Sequence, residues 1–464
     1  MEDKLEENYR EELEKLLLAK DYRTLRKKME DMNVVDIAFA MDEMDDEDSL
    51  KLFRILPKDM AAFRLLPKAI ATDVFAELEL DDQQYIIASM SDTEASHIID
   101  NLMADDATDL LEEMPANVVK KILAKASPET RADINHLLRY PEDSAGSIMT
   151  VEFIDLREMM TVEDAILKIK RRGLDSETVN ICYVVDNQRV LKGTVALRYL
   201  LLREPDELIG DIMNTKVISI NTHTDQEEAA LTIQKYGFTA MPVVDNENRM
   251  VGIITVDDVV DILQEEATED IEKMAAILPS DKPYYKMTTW ETYKKRMPWL
   301  LFLMISATFT GAIITGYEDA LASYVILTAY IPMLMDTGGN AGSQASVSVI
   351  RGLSLGEIEF SEIFKVIWKE IRVAVLCGVT LAGANFIKLL VIDKLALPVA
   401  FVICATLIVV VIFAKFIGCV LPLVAEKVGF DPAVMASPLI TTIVDAVSLT
   451  VYFTIAVSVL HINV

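Results

Sequence analysis

A polar, glycine-rich run interrupts a long apolar segment in the last third of the chain. The run is IPMLMDTGGNAGSQ, residues 331–344, inside residues 321–350. That segment is long enough to cross a bilayer, for which ~20 apolar residues suffice. Broken backbone at membrane depth is tolerated only where protein buries it or where it lines a wet path. Inserting a carboxylate such as Asp336 at the centre of a membrane helix costs roughly 2.5–3.5 kcal/mol of free energy. The run therefore predicts either an ion path beside a break in the helix or glycines that serve tight helix packing, and the carboxylate favours the ion path.

Five apolar segments predict a membrane domain over residues 297–464. The predicted spans are residues 298–317, 321–350, 373–392, 399–424 and 435–460. Lys294, Lys295 and Arg296 precede the first span, whereas the loop that follows it holds Glu318 and Asp319. By the positive-inside rule, the amino-terminal half is then cytoplasmic and the carboxyl terminus lies outside. We expect a multi-pass protein of the cell (plasma) membrane, in contact with membrane lipid.

The negative charge is concentrated before the first span. The chain has 44 Lys+Arg and 73 Asp+Glu, of which residues 297–464 hold 8 and 11, so residues 1–296 hold 36 and 62, a balance of −26. Such an acidic part repels nucleic-acid phosphate and an anionic membrane surface, so we expect it to bind neither. Divalent cations are its natural partners, although acidity that only keeps a domain soluble is a common alternative.

The cytoplasmic half divides into three regions of different pattern. Residues 1–135 have apolar positions at helical spacing in short units, which predicts an all-α superhelical domain. Residues 144–205 and 206–265 each contain a helix followed by two strands, with ICYVVD and AMPVVD as apolar strands and DNQR and DNEN as hairpin turns. These two α/β units resemble cystathionine-β-synthase (CBS) domains, here as a tandem pair.

The CBS resemblance implies an adenine-nucleotide cleft, so ATP is a candidate ligand. Asp258 matches the ribose contact and Arg198 the phosphate contact. In the first unit, Asn180 and Ile181 stand where an aromatic stacking partner is expected.

An acidic helix connects the CBS pair to the membrane domain, within residues 256–290. We expect the helix itself to cover residues 256–278. Acidic residues at positions 258, 261, 265, 266, 269 and 270 recur at spacings of three and four, so most lie on one helical face. Like charges at this spacing repel unless a cation neutralises them. A solvated acidic face is the simpler alternative, but the location of this helix favours cation-dependent coupling.

The order of these regions resembles the MgtE family of magnesium channels and transporters over essentially the whole chain. The most specific motifs are TGGNAGSQ, FDPAVMASPLITTIVDAVSLTVYF and TVDDVVDILQEEATEDIEKM. The resemblance implies a homodimeric, Mg²⁺-selective channel with its pore on the twofold axis. The matching pore residues are Asp445, Thr441, Asn340, Gly338 and Gly339, with the glycine break shaping the pore wall. Asp336 stands where some relatives have glycine, so it either adds charge at the pore mouth or packs.

The resemblance also implies sensor acids that bind cytosolic Mg²⁺ and close the pore. The matching positions are Asp73, Asp105, Asp109, Asp225, Glu227, Asp258, Asp261, Glu266, Glu269 and Asp270. Gly237 falls where another acid is expected.

Four other functions compete with a magnesium channel: an exchanger, an enzyme, a chloride channel and an adaptor. The alternative is a CBS-regulated divalent-cation exchanger coupled to H⁺ or Na⁺, since intramembrane acids also suit proton transfer. We expect no enzyme: the four histidines, His97, His136, His223 and His461, form no HExxH metalloprotease motif. A chloride channel is disfavoured by two acids in the path, and an adaptor role leaves the polar run unexplained.

Overall fold

The computed structural model describes residues 3–42, 44–56, 70–78, 80–280, 282, 284–435 and 437–462. The chain divides into two compact units, Met1–Ile262 and Leu263–Val464. The division falls within the acidic helix that was predicted to connect the cytoplasmic and membrane regions.

The first region of the chain is helical, as predicted. Its helices are α1 (Asp3–Leu18), α2 (Tyr22–Asp31), α3 (Val34–Asp42), α4 (Asp46–Ile55), α5 (Ile70–Ala76), α6 (Leu80–Ala88), α7 (Asp92–Ile99), α8 (Ala104–Glu112), α9 (Ala116–Lys125) and α10 (Pro128–Leu137). Helices this short cannot bury an apolar face alone, so they share one core that includes Leu13, Phe53 and Ile134. Ser91 and Glu94 form a capping box at the start of α7.

The next region consists of two α/β units with the same topology. The first contains β1 (Phe153–Leu156), α11 (Val162–Arg172), β2 (Thr178–Val185), β3 (Leu191–Ala196) and α12 (Leu197–Leu200). The second contains α13 (Ile209–Ile212), β4 (Ile220–Asn221), α14 (Gln226–Tyr236), β5 (Ala240–Val244) and β6 (Met250–Thr255). In each sheet the first strand is parallel to the central strand and the third is antiparallel to it.

Both predicted hairpins are present. Arg189 and Asn248 adopt positive φ values of 65° and 60° at the ends of the DNQR and DNEN turns, and their amides donate to the carbonyl oxygens of Asp186 and Asp245. Hairpin loops longer than two residues commonly place one residue in this left-handed conformation. Every residue of β5 is buried, as its uninterrupted apolar sequence predicts.

The acidic helix, α15, is shorter than predicted. It covers Val256–Met274 rather than residues 256–278. Ala276 has a φ of 55°, a left-handed conformation that cannot continue a helix, and the amide of Ile277 closes the turn on the carbonyl of Glu272.

The second unit is built from long helices. They are α16 (Thr289–Gly316), α17 (Glu318–Ser323), α18 (Ile331–Ser354), α19 (Ile363–Val391), α20 (Leu397–Val428) and α21 (Ser437–Leu460), with short 3₁₀ turns at Val325–Tyr330, Phe360–Glu362 and Pro432–Met435. Within the described residues, four helical stretches are long and apolar enough to cross a membrane: Thr289–Gly316, Phe360–Val391, Leu397–Val428 and Pro432–Leu460. The chain is a multi-pass membrane protein.

The second of the five predicted spans differs from the prediction. Residues 321–350 do not form one apolar helix, because α17 and a 3₁₀ turn precede α18. Helix α18 has 24 residues, which corresponds to about 36 Å at 1.5 Å per residue and exceeds the hydrocarbon thickness of about 30 Å. Because of its polar residues, α18 is not one of the four apolar stretches.

Candidate functional site

The predicted break in the backbone at residues 338–340 is absent. The run TGGNAGSQ lies inside the continuous helix α18, so helical hydrogen bonds satisfy its peptide groups. A Cβ added to Gly338 would lie 2.7 Å from Val410 Cγ1 of α20 and 3.0 Å from Ser448 Oγ of α21, and one added to Gly339 would lie 3.0 Å from Thr441 Cγ2. The glycines therefore allow close helix packing, and the prediction of a glycine break in the pore wall was wrong.

A second close approach joins α18 to α20. A Cβ added to Gly418 would collide with the carbonyl oxygen of Gly342 and would lie 3.2 Å from its Cα. Gly342 itself faces Ile440 of α21 and the carbonyl oxygen of Ala414. Backbone atoms of Gly342, rather than a flexible side chain, fill the space beside Gly418. A side chain at Gly418 would therefore require α18 and α20 to move apart.

Replacing Gly418 with alanine should therefore destabilise the membrane unit by about 1–3 kcal/mol, the usual cost of overpacking. Thermal unfolding of the detergent-solubilised protein would measure the loss. Gly383→Ala is the matched control, since nothing lies within 4 Å of a Cβ at that position of α19. Equal unfolding midpoints for the two variants would contradict the proposed backbone contact.

The opposite face of α18 is polar and open. Asp336, Asn340, Gln344 and Ser348 recur every fourth residue and are exposed, so they form one stripe along the helix. Among the predicted pore residues, Gly338 and Gly339 are buried, whereas Asn340 is exposed.

Two carboxylates lie beside the packed contact of α18 and α21. Asp445 is half-buried on α21, and it interacts electrostatically with Asp336 of α18. Thr441, one turn before Asp445, contacts Gly339, and its hydroxyl donates to the carbonyl oxygen of Pro438 at 2.9 Å. The structure thus places Thr441 in contact with Gly339 and Asp445 within electrostatic range of Asp336.

Predicted sensor acids from two domains meet around Asp105. Asp105, in the first turn of α8, is buried, and burial together with the carboxylates of Asp106 and Asp258 raises its pKa well above the usual range. Asp258 accepts a 2.6 Å hydrogen bond from the Thr255 hydroxyl, and burial raises its pKa as well. Asp105 and Asp258 are 153 positions apart in sequence, and the fold brings them together.

Sequence reasoning missed Glu152 at this position. Its carboxylate accepts from the Thr150 hydroxyl at 2.6 Å and the Val151 amide at 3.1 Å, and from the backbone of Ala104 at the start of α8. Burial raises the pKa of Glu152, and this carboxylate raises that of Asp105 in turn. Glu152 directly precedes β1 and stands between two apolar residues, so no sequence pattern indicated a role for it.

The remaining predicted sensor acids of the first unit lie on several elements, and Asp261 among them interacts electrostatically with Asp258. Asp225 caps α14, where its side chain accepts from the Glu227 amide at 2.9 Å. Asp109 and Asp261 are exposed, and Glu227 is half-buried. Asp73 falls in α5, and its side chain lies outside the described residues.

The end of α15 contacts the loops of the membrane unit. The Ser354 hydroxyl donates to Asp270 at 3.1 Å. Lys273 pairs with Glu269 at 2.5 Å and with Asp431 at 2.7 Å. Burial raises the pKa of Asp270, whereas for Lys273 the bonds to Asp431 and Glu269 outweigh burial and raise its pKa. Glu266, one turn earlier, is half-buried.

The acids supply suitable ligands for Mg²⁺ but not a complete cage. Across the described residues, no three carboxylate, histidine or cysteine side chains converge closely enough to hold a metal ion. Mg²⁺ usually keeps several waters and binds through one or two carboxylates. Asp105 and Asp258, which interact electrostatically, are ligands of the type that this mode of binding uses.

The two predicted nucleotide contacts differ in their surroundings. Arg198 is exposed on α12, and Asp258 is bonded to Thr255. In the first unit, Asn180 is exposed and Ile181 packs against a core that includes Tyr183 and Ile253.

Comparison with known proteins covers all three regions of the chain. The family model of the MgtE divalent cation transporter matches residues 331–455, the MgtE intracellular N domain matches residues 60–143, and the CBS domain matches residues 209–265.

Full-length relatives match at substantial identity. The magnesium transporter MgtE of Thermus thermophilus is 35% identical over 463 residues, covering 97% of this chain and 98% of the relative. The magnesium transporter MgtE of Bacillus subtilis is 33% identical, covering 93% and 96%. A crystal structure of the soluble part of a magnesium transporter aligns with a TM-score of 0.50 and 30% identity, covering 56% of this chain and 99% of that one. Since such relatives span nearly the whole chain, this protein belongs to the MgtE family of divalent cation transporters.

Proposed function

We propose that this protein takes up Mg²⁺ across the cell membrane through a selective channel formed by a homodimer. The polar stripe of α18 beside Asp445 carries the proposal, because a membrane helix that exposes Asp336, Asn340 and Gln344 needs a wet surface to face. The names of the full-length relatives, magnesium transporter MgtE, support Mg²⁺ as the transported ion. In the proposed topology, residues 1–296 are cytoplasmic and the carboxyl terminus is outside.

Selection in this proposal acts on the hydrated ion. Mg²⁺ holds its waters tightly in octahedral geometry, so a selective site should offer acceptors to the water shell. Two copies of Asp445, one per subunit, would supply carboxylates on the twofold axis, with main-chain carbonyls near Thr441 as further acceptors. Asn340 would face the same path. Gly338 and Gly339 would act by holding α21 close to α18.

Gating in this proposal is feedback by cytosolic Mg²⁺. Two carboxylates 4 Å apart repel by ~4 kcal/mol at an effective dielectric of 20, and bound Mg²⁺ would replace that repulsion with attraction and favour the closed pore. Shifting a two-state gate from 1:99 to 99:1 takes ~5.5 kcal/mol of differential binding, which requires several weak sites. The raised pKa values of Asp105 and Asp258 are consistent with such a role, since burial and, to a smaller extent, neighbouring carboxylates disfavour their charged forms and a bound cation would offset both effects.

ATP is a second proposed cytoplasmic ligand. The tandem CBS fold, with Arg198 exposed beside the first sheet and Asp258 at the start of α15, supports a nucleotide cleft. Isothermal titration of the full-length protein with ATP, compared with an Arg198→Ala variant, would test it.

Patch recording from protein in liposomes, with Mg²⁺ varied on the face that carries residues 1–296, tests the function as a whole. We expect a Mg²⁺ current that follows the membrane potential and falls as Mg²⁺ on that face rises. Flux that requires counterflow of H⁺ or Na⁺ would replace the channel with the exchanger.

Asp336→Asn should lower conductance, and most strongly at low ionic strength. Asp336 is exposed and interacts electrostatically with Asp445, so its charge should concentrate cations, and salt screens such an effect. Single-channel conductance over a range of ionic strength would measure it. Gln344→Asn is the control on the same stripe. An unchanged salt dependence in Asp336→Asn would assign Asp336 to packing instead.

A further inference from the structure

Two membrane helices carry an exposed tryptophan within their first two turns, with a cation close to its ring. In α16, Lys294 Nζ lies 5.9 Å from the ring centroid of Trp290, and in α19 the guanidinium carbon of Arg372 lies 5.9 Å from that of Trp368. In both helices the cation follows the tryptophan by four residues, so the two side chains share one face. Trp290 is 63% exposed and Trp368 is 61% exposed.

Each pair continues an apolar stripe that faces outward from the unit. On α16, Leu301 and Met304 lie on the same face as Trp290 and are exposed. On α19, Leu376 and Val379 extend the face of Trp368 and are exposed. A tryptophan at the end of a lipid-facing stripe is typical of a side chain at headgroup level. Both pairs therefore lie at the boundary between an exposed apolar surface and charged residues.

The two cations lack the carboxylate partners that neighbouring cations have. In the same unit, Lys365 pairs with Glu362, Lys388 with Asp393 and Lys415 with Glu370. Within the part of the chain that the structure describes, no salt bridge joins Lys294 or Arg372 to a carboxylate. The nearby Glu291 accepts a hydrogen bond from Thr288 in the capping box of α16 and interacts with Lys294 only electrostatically. Neither cation is therefore held in a salt bridge that an anion would have to displace.

We propose that these two tryptophan–cation pairs bind the phosphate headgroups of anionic phospholipids in the cytoplasmic leaflet. The proposal rests on the proposed topology, in which the starts of α16 and α19 are cytoplasmic. Anionic lipid attracts a juxtamembrane base over about a Debye length. Salt largely screens charges that lie farther away than this. Local attraction at Lys294 and Arg372 can therefore coexist with a strongly acidic cytoplasmic half.

Quenching of tryptophan fluorescence by brominated lipid tests the proposal. Full-length protein is placed in Mg²⁺-free vesicles of phosphatidylcholine and phosphatidylglycerol in equal parts, with bromine on one lipid or the other. Two of the three tryptophans belong to the proposed pairs. We expect stronger quenching when phosphatidylglycerol carries the bromine. Lys294→Gln combined with Arg372→Gln should remove that preference, with a loss of about fivefold in relative association per base.

Controls separate the local sites from general charge and from misfolding. Lys294→Arg with Arg372→Lys keeps both charges and should retain the preference. Lys120→Gln with Lys121→Gln removes the same charge from exposed positions of α9 and should also retain it. Equal quenching by the two lipids in the parent protein, or the same loss in the α9 control, would overturn the proposal. The measurement needs no transport, so its failure would leave the proposed channel untouched.

Discussion

Asp445→Ala should abolish Mg²⁺ uptake or remove its discrimination against other divalent ions, while the protein still folds and inserts. Asp445 is half-buried on α21 beside the packed glycines of α18, whereas the second carboxylate there, Asp336, is exposed. Asp445 is therefore the proposed carboxylate for the hydrated ion. Uptake into liposomes that contain a Mg²⁺-sensitive dye, repeated with Mn²⁺, Co²⁺ and Ca²⁺, would measure both outcomes.

Glu426→Gln is the control for Asp445→Ala, since it removes an exposed carboxylate near the end of α20. It should transport normally. Selective uptake by a well-expressed Asp445→Ala variant would remove Asp445 from the proposed pore.

Neutralising four acids of α15 together should leave the channel open at Mg²⁺ levels that close the parent protein. The change is Asp258→Asn, Asp261→Asn, Glu266→Gln and Glu269→Gln. Amides cannot replace an ion that bridges carboxylates, so the closed state should lose its support, and cells should become sensitive to external Mg²⁺. Open probability against cytoplasmic Mg²⁺ is the measurement. Protection of residues 1–296 from protease by Mg²⁺ should weaken in parallel.

A variant channel that stays closed would also be informative. If relief of repulsion alone closes the gate, the amide variant should be shut regardless of Mg²⁺. A matched control removes four exposed acids elsewhere in the first unit: Glu163→Gln, Asp206→Asn, Glu228→Gln and Glu247→Gln. Closure at the parental Mg²⁺ level with unchanged protease protection would show that the sensor lies elsewhere.

The hairpins and the glycine run differ in how far sequence could predict them. DNQR and DNEN predicted turns correctly because the required conformation at Arg189 and Asn248 is local. TGGNAGSQ was misread as a break because glycine permits both irregular backbone and close helix contact. Only the contacts with Val410, Thr441 and Gly418 distinguish these, and those residues are more than 70 positions away along the chain.

The candidate sites show the same limit. Asp445 and the acids of α15 could be identified because a carboxylate in an apolar span and like charges on one helical face are costly wherever they occur. The meeting of Asp105 with Asp258 and Glu152 could not be predicted, because three separate elements supply them and nothing periodic links them.

The ion pair at the end of α15 bears on where movement can occur. Lys273 bridges Glu269 and Asp431, and its raised pKa keeps the ammonium charged throughout the physiological pH range. This bridge needs no divalent ion, so removal of Mg²⁺ leaves the last turn of α15 fastened to the loop before α21. In the proposed gating, we therefore expect the last turn of α15 to stay with that loop and the movement to take place before residue 269.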